Sequence, residues 1–280
     1  MKIRTLTTLV FLAAMTQASS AVILQDSFSD GSYTNQNLSG SAEWYVRNNA
    51  SNVSVTVGAL QIANVDTSDD GVLGYFTNSG ATSVAVGETI TLSFDMTLSS
   101  GTLSDIANRI RFGLMDSGGS RETADGSGFN AATYDGYRGY WGRLGLTGVG
   151  TSHIAARDSN NNNLLTTGAS TTLGSDVDLA DLSASTTYSV SLSIEHTNAS
   201  TNTITLGIDG LDSFTRTDTS NLFSSFDTAV ISIHGPGVAT ATLDNITVQA
   251  IPEPTTYALL SGLLAAGLIL LRRRRQRSNI

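Results

Sequence analysis

Residues 187–210 read "TYSVSLSIEHTNASTNTITLGIDG". Tyr188, Val190, Leu192 and Ile194 alternate with serines, and Ile204, Leu206 and Ile208 alternate with threonine and glycine. Successive side chains of a strand point to opposite faces, so a period of two puts each apolar set on one side. The polar stretch between the runs has the composition of a turn. The spacing predicts an antiparallel hairpin with its Leu and Ile residues in the core and hydroxyls on the other face.

The same rhythm recurs along the chain. "NVSVTVGALQIANV" at 52–65 alternates Val53, Val55 and Val57, then Leu60 and Ile62 after a glycine suited to a turn or bulge. "ETITLSFDMTL" at 88–98 sets Ile90, Leu92, Phe94 and Met96 on one face, and "RIRFGLM" at 109–115 sets Ile110, Phe112 and Leu114 against Arg109 and Arg111. "DTAVISIHG" at 227–235 and "ATLDNITVQA" at 241–250 close the series. No interior stretch carries a long 3.6-residue stripe, and "TSNLFSSF" at 219–226 suggests at most one helical turn. Many short strands with Gly and Asn turns predict an all-β fold, an antiparallel two-sheet β-sandwich or jelly roll, over residues 21–250. Splitting it near residue 160 would leave two halves that are marginal without cysteine.

Residues 21–251 contain eight arginines and no lysine against nineteen aspartates and four glutamates, a net charge near −15. The whole-chain value of −9 hides this, because the other basic residues sit at the two ends. Such a surface repels nucleic acid, and an acidic polysaccharide would need divalent bridges or an arginine-lined site. There is no cysteine, so stability rests on packing and on any bound metal. The abundant Ser and Thr suit the solvent face of antiparallel strands. "DSNNNN" at 158–163 reads as a flexible loop.

The ends are of another kind. Lys2 and Arg4 precede a mostly apolar run over Leu6–Met15, and "QASSAV" offers small residues near Ser20–Ala21. This is the pattern of a secretory signal peptide over residues 1–20. At the other end, Tyr257–Leu271 is uncharged and leads into Arg272, Arg273, Arg274, Arg275 and Arg277. As a helix it would cover roughly 22 Å, near the lower limit for a transmembrane helix once flanking residues are added and the arginines snorkel. A buried core helix would have no use for that basic cluster. The charge asymmetry leaves the arginines in the cytoplasm and the bulk of the chain outside.

Pro252, Glu253 and Pro254, then the apolar run and the basic cluster, resemble the PEP-CTERM sorting signal of Gram-negative bacteria over residues 251–280. The resemblance implies an exosortase-type processing enzyme as partner. It also implies anchoring in the inner membrane during sorting, then a place at the cell surface or in the exopolysaccharide of a biofilm matrix. Proline stiffens the backbone and removes a donor, so a Pro-Glu-Pro unit beside the bilayer is an extended, accessible segment. "DSFSDGS" near the start, the strand rhythm and "ATLDNITV" at the end resemble the concanavalin A-like lectin and glucanase sandwiches, LamG-type modules included. That second resemblance implies termini paired in adjacent strands, and a Ca2+ shared by carboxylates near each end. Here those carboxylates are Asp26, Asp30 and Asp244. Asp-Gly and Asp-Asn pairs are equally ordinary turn formers.

"TYDGYRGYWGRLGLTG" at 133–148 gathers Tyr134, Tyr137, Arg138, Tyr140 and Trp141 among glycines. Flat amphipathic rings suit the apolar face of a sugar, and these residues are the candidate ligand site. The same stretch also reads as a strand whose aromatic face is core, and either way at least two of the rings are expected to be buried. Trp44 reads as core. Catalysis has little to stand on: the Glu-x-Asp-x-x-Glu strand of the glucanases is missing, and His153, His196 and His234 lack metal-ligand spacing. His234 reads as a turn residue. The function expected is therefore that of a non-catalytic surface or matrix protein associating with glycan. A polysaccharide hydrolase or lyase, or a structural protein without a ligand, are the alternatives.

Overall fold

The alternation seen in the sequence becomes eighteen strands among the described residues. The structure, a computed structural model, describes residues 20–251 except 35–43, 48, 57, 64–69, 77–79, 100–108, 127–131, 147–150 and 235–239. The expected signal peptide, the transmembrane helix over 257–271 and the sorting residues Pro252, Glu253, Pro254 and Arg272–Arg275 lie outside the described residues. No helix among the described residues is long and apolar enough to cross a membrane.

In chain order the strands are β1 (Ala21–Asp26), β2 (Trp44–Arg47), β3 (Val53–Thr56), β4 (Ala59–Ala63), β5 (Asp70–Tyr75), β6 (Thr82–Ser83), β7 (Thr89–Leu98), β8 (Arg109–Asp116) and β9 (Arg138–Gly145). There follow β10 (Thr151–Arg157), β11 (Ser170–Thr172), β12 (Val177–Asp178), β13 (Thr187–Asn198), β14 (Thr201–Ile208), β15 (Asp212–Asp218), β16 (Ser225–Phe226), β17 (Thr228–His234) and β18 (Thr240–Ile251). The first sheet runs β15-β14-β13-β7-β18-β4-β3, with β1 also on β18. The second runs β11-β10-β9-β8-β17-β5-β2, with β12 on β10. The pairings are antiparallel, and Ser20–Ile251 forms one compact unit. Instead of a helical turn at 219–226, the chain forms a β16–β6 bridge; 3-10 turns occur at Ala50–Asn52, Ala132–Gly136 and Thr167–Ala169.

The hairpin at 187–210 forms as its pattern predicts. Val190, Leu192 and Ile194 of β13 lie opposite Ile208, Leu206 and Ile204 of β14, and opposite Phe94, Leu92 and Ile90 of β7. These rows pack against Ile110, Phe112 and Leu114 of β8, and Phe94 meets Phe112 edge to face at 5.2 Å between ring centres. On the opposite side of the first sheet hydroxyls pair across strands: Thr91 with Ser193 at 2.9 Å, Ser93 with Thr247 at 2.7 Å and Thr205 with Thr215 at 2.9 Å. These cross-strand pairs explain the Ser/Thr-rich composition. The two ends of the sandwich meet as expected, with Ala21 opposite Ala250 and Asp26 opposite Ile246.

The second sheet differs because much of its outer face is covered too. Tyr134 and Tyr137, on and just after the 3-10 turn, join Leu164 and Leu165 over Leu73, Tyr75, Met115, Trp141, Ala155 and Val230 to make a second, smaller core. The "DSNNNN" segment beneath Leu164 is fastened, not loose. Buried Arg157 donates to the carbonyls of Asn161, Asn163 and Tyr134, and Asp158 accepts from Thr171.

Candidate functional site

The structure places the expected aromatic platform inside the protein. Tyr134, Tyr137 and Tyr140 have no exposure and Trp141 has 1%. Tyr140 points into the main core, where its hydroxyl bonds Asp218 and Asn202. Tyr137 shares a hydroxyl bond of 2.8 Å with Tyr75, and Tyr134 carries the Arg47 guanidinium 4.3 Å over its ring. The Trp141 indole donates to Ser170 at 3.0 Å. Burial pushes the Tyr75, Tyr137 and Tyr140 hydroxyls well above the usual tyrosine range. Arg138 ties the carbonyls of Asp135 and Tyr137 and the side chain of Asn160 together. The aromatic-core reading of 133–148 therefore replaces the sugar platform, because the loops carrying Tyr134 and Leu164 fold over the outer face of β9.

The carboxylates proposed for calcium have other work. Asp26 is fully buried, with Oδ1 accepting from the Phe28 N–H and Oδ2 from the Trp44 indole, both at 2.8 Å. Asp30 is exposed and accepts from the Ser32 N–H, while Asp244 accepts from the Asn245 N–H at 2.6 Å. Burial, helped by the charges of Asp30 and Asp244, raises the Asp26 carboxyl to about 6. Among the described residues no group of three or more His, Cys, Asp or Glu is arranged to hold a metal ion. The donor set does not fit Ca2+, since both Asp26 oxygens are already engaged by protein donors.

The feature that does stand out is a row of polar and basic side chains on the outer face of the second sheet, buried at Ser232, Arg111 and His153 and partly exposed at Arg143. Strand register sets Ser232 of β17 opposite Arg111 of β8, Arg111 opposite Arg143 of β9, and Arg143 opposite His153 of β10. Their neighbours along the strands, Ile110, Phe112, Leu144, Ile154, Ile231 and Ile233, face the core, so this row faces away from it. Arg109 and His234 are paired in the next row on the same face. Three of the eight arginines of residues 21–251 thus fall within one patch of a strongly acidic chain.

Buried polar atoms here that make no hydrogen bond include Ser232 Oγ, on a residue with no exposure, and His153 Nε2, on a residue 3% exposed. Each such atom costs about 1–3 kcal/mol when nothing meets it. Arg143 and Arg109 are partly exposed and open the row to solvent. Asp176, 42% exposed, reaches Arg143 and His153 Nδ1 from the sheet edge at 3.5 Å each. Burial, then the charges of Arg143, Arg111 and Arg109, lower His153 to about 4, against the pull of Asp176. The imidazole is neutral at neutral pH, so Asp176 pairs with Arg143 alone. Sequence reasoning separated these residues, treating His234 as a turn residue when it ends β17. The available signal was parity: Arg109 and Arg111 alternate with the core positions of β8, and Arg143 alternates with Leu144 on β9.

No protein-family model matches the chain, and no curated protein matches its sequence. Solved structures similar to it include the endo-1,3-β-glucanase from Streptomyces sioyaensis, at 10% identity, covering 83% of this chain and 97% of that one, with a TM-score of 0.50. Others are peanut lectin (13% identity, 83% and 98% covered, TM-score 0.45) and the carbohydrate recognition domain of Emp47p (13%, 85% and 97%, 0.46). The likeness is one of fold. What is shared is the antiparallel two-sheet β-sandwich, and at this identity the likeness assigns no ligand to any residue.

Proposed function

We propose that the chain is an exported, non-catalytic surface or biofilm-matrix protein whose sandwich associates with exopolysaccharide. The observation that carries this reading is the outer face of the second sheet, where strand register gathers Arg111, Arg143 and His153 of an otherwise acidic sandwich and Arg143 and Arg109 reach solvent. The fold type supports it as a scaffold on which glycans are bound elsewhere. Sorting is assigned to the tail: Pro252, Glu253 and Pro254 as the segment read by an exosortase-type enzyme, the apolar run as a temporary inner-membrane anchor, and Arg272–Arg275 as the cytoplasmic stop. Processing then leaves the acidic sandwich at the cell surface or in the matrix.

A glycan-array screen of the protein, run with and without Ca2+, tests the association. Binding that is independent of Ca2+ is expected, and an array without any bound glycan would instead support a structural matrix protein. Shortened glycan products on incubation would support the hydrolase or lyase alternative. Replacing Pro252 and Pro254 with alanine tests the sorting assignment: the unprocessed chain should accumulate in the membrane fraction.

A further inference from the structure

We propose that a hollow on the outer face of the first sheet, floored by Gly207 and closed by Asp209 and Asp212, binds an uncharged sugar residue of a polysaccharide chain. This rests on the reading that the sandwich associates with polysaccharide, and it adds a place on the other sheet and a class of sugar.

The hollow arises from one missing side chain. Ser191 of β13, Gly207 of β14 and Ser213 of β15 lie opposite one another in register. Their chain neighbours Leu192, Leu206 and Phe214 face the core, so this row faces outward. In the next row of the same face, Thr205 and Thr215 close on each other at 2.9 Å, and Ser193 closes on Thr91 at 2.9 Å. At Gly207 there is nothing to close on. Ser93, the β7 neighbour of Ser191, bonds Thr247 instead. The Ser191 and Ser213 hydroxyls therefore make no hydrogen bond among the described residues, and both reach solvent. A Cβ at Gly207 would lie 3.1 Å from Ser213 Cβ and 3.8 Å from Ser191 Oγ, so even a methyl group would fill the floor. Glycine leaves a space of about 510 Å3.

The hairpin turn supplies the remaining wall. Its backbone is set by the Leu211 N–H donating to the Ile208 carbonyl at 3.1 Å and by Gly210 at a φ of 72°. Asp212 Oδ1 accepts the Ser213 N–H at 2.9 Å, and the exposed Asp209 carboxylate accepts no hydrogen bond among the described residues. Leu211, 49% exposed, is one of the few large apolar side chains at the surface. These groups match a sugar ring in kind. Carboxylates accept strongly from sugar hydroxyls, serines donate or accept, and Leu211 offers an apolar surface to the C–H face. The volume falls in the range of roughly 300–1,000 Å3 common to small-molecule sites. No lysine or arginine lines the hollow, and the sandwich carries a net charge near −15, so a uronate or sulfate is repelled. Exposure on a sheet face keeps each contact weak, with a dissociation constant on the order of 1 mM. Repeated units along a polysaccharide raise the apparent affinity through effective concentration.

The test uses the full chain, in a detergent without a sugar head group, and saturation-transfer NMR. The probes are tetrasaccharides of β-1,4-glucan, β-1,3-glucan, α-1,4-glucan and β-1,4-mannan, with an oligouronate of the same length. Transfer to at least one neutral tetrasaccharide is expected. Gly207→Ser, which completes the hydroxyl row and fills the floor, should weaken that binding about tenfold or more. Asp209→Ala should weaken it several-fold. Melting curves establish that both variants are folded. Neutral binding unchanged in the folded variants overturns the hollow but leaves glycan association standing. Oligouronate binding that Gly207→Ser abolishes overturns the assignment of an uncharged ligand. Transfer to none of the neutral probes overturns the inference, and together with an empty glycan array it overturns the association as well.

Discussion

The Asp26 carboxylate accepts a hydrogen bond from the Trp44 indole at 2.8 Å, linking β1 of the first sheet to β2 of the second inside the sandwich. The same carboxylate accepts the Phe28 N–H, whose residue has a φ of 52°, so one buried side chain fixes both the sheet-to-sheet contact and the turn that follows β1. Asp26→Ala strands two buried donors. A loss of about 2–4 kcal/mol in denaturant unfolding is expected. A chelator, by contrast, should leave the wild-type melting temperature unchanged, and a drop would return Asp26, Asp30 and Asp244 to the role of calcium ligands.

Asp26 and His153 make stability respond to pH in opposite directions. The Asp26 carboxyl is raised from 3.8 to about 6, so its contribution is fully present below 3.8 and is lost as pH rises through about 6. His153 is lowered from 6.5 to about 4, so its contribution is complete above 6.5 and is lost as pH falls toward 4. Each shift corresponds to roughly 3 kcal/mol at full development, and in the wild type the two largely offset between these limits. His153→Gln should therefore gain stability from pH 7 to pH 5 relative to wild type. Asp26→Ala should lose it more steeply over the same interval. Parallel melting profiles for all three proteins would refute this assignment.

Tyr75, Tyr137 and Tyr140 have hydroxyls raised by burial, in contact with other buried groups. These three should stay protonated when the folded protein is titrated by ultraviolet absorbance to pH 11, ionising only as it unfolds. Tyr137→Phe removes one partner of the Tyr75 hydroxyl, which keeps the Glu122 N–H, and should cost about 1 kcal/mol.

Gly142 of β9 faces the first sheet at close range: a Cβ there would lie 1.9 Å from Leu206 Cδ1 and 3.8 Å from Leu192 Cδ1. Gly142→Ala should destabilise by about 1–3 kcal/mol through overpacking, measured by the shift in denaturant midpoint. Shortening the neighbour in Gly142→Ala/Leu206→Val should recover part of the loss.

How much of this was legible depends on the range of the interaction concerned. The β7, β8, β13 and β14 alternations mark which residues enter the core, because a strand exposed on one side must write its burial into every second residue. β9 misled because it is buried on both faces. Its aromatics look equally like a platform and a core until it is known whether the 132–137 and 158–165 segments lie over them. Those segments are held by Arg157 and by the Tyr75–Tyr137 pair, contacts that no local pattern announces.

The amino-acid sequence by itself determined the fold class, the inward face of each long strand, the acidic charge of the sandwich and the different character of the two chain ends. These are local properties, carried by period and composition. Tertiary structure alone decided that Asp26 serves Trp44 instead of a cation, that Tyr134, Tyr137, Tyr140 and Trp141 are covered, and that Ser232, Arg111, Arg143 and His153 form one row. Register between strands far apart in the chain places those four side by side, and register is a property of the paired sheet, not of any one segment.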